Sequence, residues 1–180
     1  MIYSYEECIK RFGSKYLVKK AVESESIFQL EKGIYSDERY VPEKNILAMK
    51  YPKAIFTLNT AFYLYNLTDV IPDKYYMATD RNAAKISDKR IIQIFEQSEI
   101  LPLGVIKEQV NGCTINIYSK ERLLVELLRH KNSLPFDYYK EILLNFREIV
   151  YDLDIRAIQD YAEAVPKSSM VLETLRLEVL

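Results

Sequence analysis

Lys10, Arg11, Lys15, Lys19 and Lys20 form the strongest local charge feature of the chain, because no acidic residue interrupts the stretch from Lys10 to Lys20. Such a cluster attracts phosphate backbones, and on the second helix of a helix-turn-helix it meets the major groove. Ser14 and Tyr16 stand beside the lysines and can add hydrogen bonds to phosphates or base edges. A solvated helix face is the other reading of the same charges. Glu23 and Glu25 follow soon after, so the basic patch is narrow. A second basic segment, Arg81, Lys85, Lys89 and Arg90, is broken by Asp88 and preceded by Asp80. It reads as a solvated loop between strands.

Residues for catalysis are harder to assemble. His130 is the one histidine, flanked by Arg129 and Lys131 at a helix end, where cations favour the helix dipole. With no Cys or carboxylate read at ligand spacing, a single histidine makes a poor metal site and no obvious triad. Glu96, Glu99 and Glu108 follow or end strand-like runs, as nuclease carboxylates do, but no acidic pair is followed by a suitably spaced lysine. Exposed strand-end charges are the reading these three support. The pairs Phe62-Tyr63, Tyr75-Tyr76 and Tyr138-Tyr139 suggest base stacking, yet aromatics at helix or strand period more often fill a core with hydroxyls at its edge. No catalytic residue, metal ligand or cofactor is expected.

Composition narrows the remaining classes. With 180 residues, 49% hydrophobic and 28% charged, the chain is long enough for one large or two small globular domains. Its 25 Lys plus Arg nearly cancel 26 Asp plus Glu, which excludes a uniformly basic nucleic-acid coat and confines any such contact to a patch. Four glycines leave almost no material for a Walker or Rossmann phosphate cradle. Cys8 and Cys113 lack CxxC spacing and are expected to be reduced, buried thiols. The N-terminal residues lack the basic and apolar regions of a signal peptide, and no apolar run reaches membrane-spanning length; a cytoplasmic protein is expected.

The elements that must position the basic cluster are legible locally. A helix over Tyr5 to Phe12 ends at Gly13, Ser14 offers an N-cap, and a second helix runs from Lys15 to about Glu23. That helix places Leu17, Val18, Ala21 and Val22 on one side and Lys15, Tyr16, Lys19 and Lys20 on the other. Two extended stretches, Ile27–Leu30 and Ile34–Tyr35, flank a turn of Glu31, Lys32 and Gly33. Helix, turn, helix and hairpin is the order of a reduced winged helix. Beyond it, Pro42 opens a helix to about Tyr51, and Ala54–Thr57 reads as a strand before a helix from about Asn59 to Asn66. Apolar clusters at 75–77, 91–95 and 105–106 predict strands, and Asn111-Gly112 predicts a type I′ hairpin leading into 113–118. Four helices are expected after it, Lys120 to Arg129, Phe136 to Val150, Ile155 to Ala164 and Ser168 to Val179. The predicted class is α+β.

Several of these segments together carry a family resemblance. Phe28–Ser36 (FQLEKGIYS), Lys50–Thr57 (KYPKAIFT), Thr60–Pro72 (TAFYLYNLTDVIP) and Ile115–Arg129 (INIYSKERLLVELLR) occur in an order that closely resembles the AbiEi family of antitoxins from bacterial toxin-antitoxin and abortive-infection systems. The resemblance covers nearly the whole chain. It implies a winged helix-turn-helix over residues 1–40 and a larger mixed α/β antitoxin domain over 41–180 that ends in helices. It further implies repression of the protein's own operon through promoter DNA, and neutralisation of a nucleotidyltransferase-type toxin with or without a stable complex. By position, Ser14, Lys15, Tyr16, Lys19 and Lys20 fall on the family's second helix, and Lys32 with Gly33 on its wing. Two departures stand out: lysines replace the arginines many relatives carry on that helix, and Glu126 stands where Asp is usual. Lysine is a point charge and does not make the forked contact of arginine to guanine, so phosphate positioning is expected there more than base readout. The alternatives are a stand-alone winged-helix regulator and an antitoxin that acts only by gripping its toxin, through a sheet edge or the helices around Tyr138, Tyr139 and Phe146.

Overall fold

The computed structural model describes residues 1–110 and 112–179, in which eight α-helices and two sheets make an α+β fold. Two compact units are present, Met1–Ala54 with Lys107–Asn116, and Ile55–Ile106 with Ile117–Leu180. No helix among the described residues is long and apolar enough to cross a membrane.

The first unit starts with a strand that local pattern does not reveal, β1 (Ile2–Ser4). Three residues carry too little periodicity to announce a strand, and β1 exists because it pairs antiparallel with β3 (Ile34–Ser36), more than thirty residues away. Ser4 ends β1 and caps α1 (Tyr5–Phe12): its backbone N–H donates to Glu7 Oε2 at 2.7 Å, and its hydroxyl accepts from the Glu7 N–H at 3.3 Å. The bond from the Ser4 backbone holds the Glu7 carboxyl below the usual carboxylate range. Gly13 ends α1 at φ +91°, donating its N–H to the Ile9 carbonyl at 2.7 Å. Ser14 then caps α2 (Lys15–Glu23), accepting from the Leu17 N–H at 3.3 Å. The strand β2 (Phe28–Glu31) pairs with β3 across the Lys32-Gly33 turn, with an irregularity between Gln29 and Glu31. Gly33 sits at φ +81°, as a tight turn requires. Cys8, Val18, Ala21, Ile27 and Tyr35 form the core of this unit.

The helix α3 (Glu43–Lys50) packs on β1 and β3, and its Lys50 meets Glu31 of β2 at 2.9 Å. Pro42 occupies the N-cap rather than the first turn, since its ψ of 133° is extended.

The second sheet has five strands in the order β6-β5-β4-β8-β7, comprising β4 (Ile55–Phe56), β5 (Tyr75–Asp80), β6 (Ile91–Glu96), β7 (Val105–Val110) and β8 (Cys113–Tyr118). Strand β5 runs parallel to β6 in unbroken register from Tyr75↔Ile91 to Asp80↔Glu96, and β4 is antiparallel to β5 but parallel to β8. Residues 81–90, the second basic segment, form the connection between β5 and β6, where Arg90 pairs with Asp88 at 2.7 Å. The type I′ turn expected at Asn111-Gly112 falls on Asn111, outside the described residues. Gly112 is at φ +74°, and Gln109 donates to Thr114 across the strand pair at 2.6 Å. Both cysteines are free thiols. Cys8 is fully buried, whereas Cys113, expected to be buried, is only half-buried because it starts β8 beside the turn.

Five helices complete the second unit: α4 (Leu58–Leu64), α5 (Lys120–Arg129), α6 (Phe136–Ile149), α7 (Ile155–Ala164) and α8 (Ser168–Thr174). The helix expected to run on to Val179 widens instead into a π-helical turn over Leu175–Val179, where Leu175 and Val179 are buried and Glu178 is held by Lys131 and by Tyr139. At the centre stands α5, whose seven consecutive residues from Arg122 to Leu128 are all buried among α4, α6, α7 and α8. A helix covered on every side must be apolar all round or must pair its charges internally. The approach of the preceding loop is equally tight. Gly104, at φ +73°, accepts from the Ser119 N–H at 2.7 Å, and a Cβ there would lie 2.5 Å from Cβ of Arg122. Gly104→Ala should therefore destabilise the protein by at least about 1–3 kcal/mol, through backbone strain alone, in urea unfolding. An unchanged midpoint would show that the loop can retreat from α5.

Candidate functional site

The exposed face of α2 collects most of the residues singled out from the sequence. Lys15, Tyr16, Lys19 and Lys20 are all exposed, while Val18 and Ala21 on the opposite side are buried in the core. Tyr16 is 67% exposed, with the Lys20 ammonium 5.7 Å from its ring centroid. That distance allows a weak cation–π attraction that holds the two side chains together on the helix surface. Lys19 lies 3.7 Å from Glu23, an exposed pair too screened to hold it in place. Ser14 serves first as the helix cap, since its hydroxyl already accepts the Leu17 N–H. Lys32 is exposed at the β2–β3 turn beside Gly33, around which a Cβ would meet nothing within 4 Å.

Three features of this face depart from the sequence reading or escape it. Leu17, assigned to the apolar side, is 44% exposed, because the elements packed on α2 cover only the stripe through Val18 and Ala21. Arg11 turns back on its own unit, its guanidinium 5.0 Å from the Tyr3 ring and 5.4 Å from that of Phe12. An open, mainly apolar cleft of about 540 Å³ lies beside the helix, with Tyr5, Tyr16, Tyr35, Lys15 and Lys19 among its lining residues. Tyr5 and Tyr35 come from α1 and β3, so no local spacing on α2 announces the cleft.

The second unit holds a buried ionic cluster. Glu96, read from the sequence as an exposed strand-end charge, is only 3% exposed. It closes β6 against α5, where Arg129 holds it in a fork of 2.5 and 2.9 Å and Arg122 lies 3.4 Å away. Arg122, with no exposed surface, also bonds Glu126 at 2.9 Å and the Ile100 carbonyl at 3.0 Å, and stacks 4.8 Å from the Tyr118 ring centroid. Arg129 reaches Glu126 as well, at 3.0 Å, and His130 Nε2 stands 3.4 Å from the second Glu126 oxygen, so a carboxylate one helical turn back does lie beside the histidine, contrary to the sequence reading. Burial pushes the Glu126 carboxyl up, but the neighbouring His130 imidazole and the charges of Arg129 and Arg122 outweigh it and hold the group below its ordinary range. Burial pulls the Arg129 guanidinium down, and the bond to Glu96 with the charges of both carboxylates raises it on balance. Each carboxylate thus faces two arginines. Among the described residues no group of three or more His, Cys, Asp and Glu could hold a metal ion. Glu99 is exposed and Glu108 half-buried. Sequence reasoning missed this cluster: the i, i+4 spacing of Arg122 and Glu126 on an apolar helix is a signal that could have found their pair, but nothing local announces Glu96, which arrives from another element.

The aromatic residues of α6 also change meaning. Tyr139 and Phe146 are buried, Phe146 against Phe62 with ring centroids 6.4 Å apart, so neither is free to grip a partner. Tyr138 is half-buried.

The combination of a small helix-helix-hairpin unit with a mixed sheet and a helical layer has a counterpart among solved structures. The chain is similar in fold to the crystal structure of RV2827C protein from Mycobacterium tuberculosis, with a TM-score of 0.60 and 14% identity over 98% of this chain and 71% of that one. No protein-family model and no curated protein matches the chain.

Removing one member of the ionic cluster should be costly. Glu126→Gln leaves Arg122 with a single carboxylate and is expected to lower stability by about 3–5 kcal/mol in urea unfolding, whereas Arg122→Met combined with Glu126→Leu should cost clearly less. A double variant no more stable than the single one would contradict this. The pH dependence carries a definite sign, because Glu126 is depressed in the folded protein. Its contribution is present above about pH 4.3, the ordinary carboxylate value, and is lost as the pH falls through the lower folded value. Stability measured from pH 6 downwards should fall less steeply in Glu126→Gln than in the parent protein.

Proposed function

We propose that the protein is a DNA-binding antitoxin that represses its own operon and neutralises a nucleotidyltransferase-type toxin, without enzymatic activity of its own. The observation that carries the DNA half is the exposed face of α2, where three lysines and a tyrosine stand on the second of two helices joined at Gly13-Ser14 and followed by the Lys32-Gly33 turn. In this reading residues 1–40 act as a reduced winged helix-turn-helix, with α2 entering a groove and the β2–β3 turn as its wing, and residues 41–180 are the antitoxin domain. The resemblance of the segments around Phe28–Ser36, Lys50–Pro72 and Ile115–Arg129 to AbiEi antitoxins supports the toxin half. The lysines supply phosphate contacts and counterion release, so binding is salt-sensitive although the net charge of the chain is -1.

A gel-shift titration on the protein's own promoter tests the DNA half. A shift at micromolar protein that weakens steeply with salt is expected. Replacing Lys15, Lys19 and Lys20 together by Ala should weaken binding to every sequence and reduce the log–log salt slope by about 3. A triple variant that binds like the parent would move the DNA surface elsewhere. Growth of cells carrying the neighbouring toxin gene, with and without this chain, tests the other half, and co-purification with tagged toxin separates direct from indirect neutralisation.

A further inference from the structure

The cleft beside α2 has a composition that phosphate contacts on the helix surface do not need. Among its lining residues Val18 and Tyr35 are buried, and the Tyr5 ring stands 6.4 Å from that of Tyr35 at a tilt of 35°. Tyr16 adds a third aromatic side chain, and Lys15 and Lys19 are the charged residues of the lining, with no acid among them. Lys15 has no ion-pair partner among the described residues. An aromatic-walled, mostly apolar hollow of about 540 Å³ with two cationic groups is the size and chemistry of a small-molecule site. Flat rings stack on tyrosine faces, and an anionic substituent answers the lysines. A neutral apolar ligand would forgo the attraction of the two ammonium groups, and a cation would be repelled by them.

We propose that this cleft binds a small planar aromatic ring carrying an anionic group, and that its occupancy competes with DNA. Lys15, Tyr16 and Lys19 belong both to the lining and to the exposed helix face, so a ligand seated there takes the lysines and the tyrosine away from phosphates. The ligand acts as an inducer that frees the promoter. Binding in the cleft stands on the cleft geometry, and only the competition rests on the DNA-binding reading above.

The test uses the full chain and 2-naphthoate, with the neutral 2-naphthamide as its control, followed by saturation-transfer NMR on the ligand. Saturable binding of the acid with Kd at or below about 1 mM is expected, at least about fivefold tighter than the amide. Lys15→Ala with Lys19→Ala should bring the acid down to the level of the amide. Val22→Phe, which fills the cleft from a half-buried lining position, should abolish binding of both. Gln29→Glu, an exposed change at the same cleft that does not threaten folding, should weaken the acid alone. A response that rises without saturation, equal affinity for acid and amide, or a Gln29→Glu protein that binds the acid like the parent would each overturn the site. In the gel shift, 2-naphthoate should release promoter DNA from the parent but not from Val22→Phe. If DNA shifts and the bound acid leaves the shift intact, the competition is wrong. If no DNA shifts while the acid binds, the DNA-binding reading fails and the site remains.

Discussion

Arg122 carries a full positive charge on a side chain with no exposed surface, and the second unit is arranged around that fact. A buried guanidinium without partners would cost more than most domains have in reserve, so every donor must be answered. Glu126 answers from one turn along α5, Glu96 from the end of β6, and the Ile100 carbonyl from the loop that follows. Gly104 lets the same loop close on the helix. The cluster therefore ties sheet, loop and central helix into one register. The four charges balance within the interior.

The first unit is built on the opposite principle. Its core is small, and its charges stand outside it, in surface pairs such as Lys50–Glu31 or open to solvent like Lys15. Ser4, Gly13 and Ser14 fix the start, stop and restart of two short helices, and so set which side of α2 faces Val18 and Ala21 and which faces solvent. In the DNA-binding reading proposed above, such a face supplies cations on a rigid support. With basic side chains gathered on one surface and acids spread elsewhere, a net charge near zero is compatible with a local positive field.

Much of this unit was legible in the sequence because its signals are local. Tyr5–Phe12, Gly13, Ser14 and Lys15–Glu23 form the helices and caps that their spacing predicts, and Gly33 takes the positive φ of its turn. The strand Ile2–Ser4 was silent, since three residues become a strand only when β3 lies alongside. Leu17 misled for a related reason, as helical periodicity names a face but not how wide a stripe the neighbouring elements cover. Likewise the cleft joins Tyr5, Tyr16 and Tyr35 from three elements.

In the second unit the division is sharper. The sequence by itself determined where α5 begins and ends and that Arg122 and Glu126 share one side of it, because capping by Ser119 and a four-residue spacing act within a single helix. Only the tertiary structure decided that this helix would be buried all round, that Glu96 would be drawn inside to neutralise two arginines, and that Tyr139 and Phe146 would be core rather than contact surface. Burial and charge pairing depend on which distant elements arrive at a residue, whereas caps and turns depend only on its neighbours along the chain.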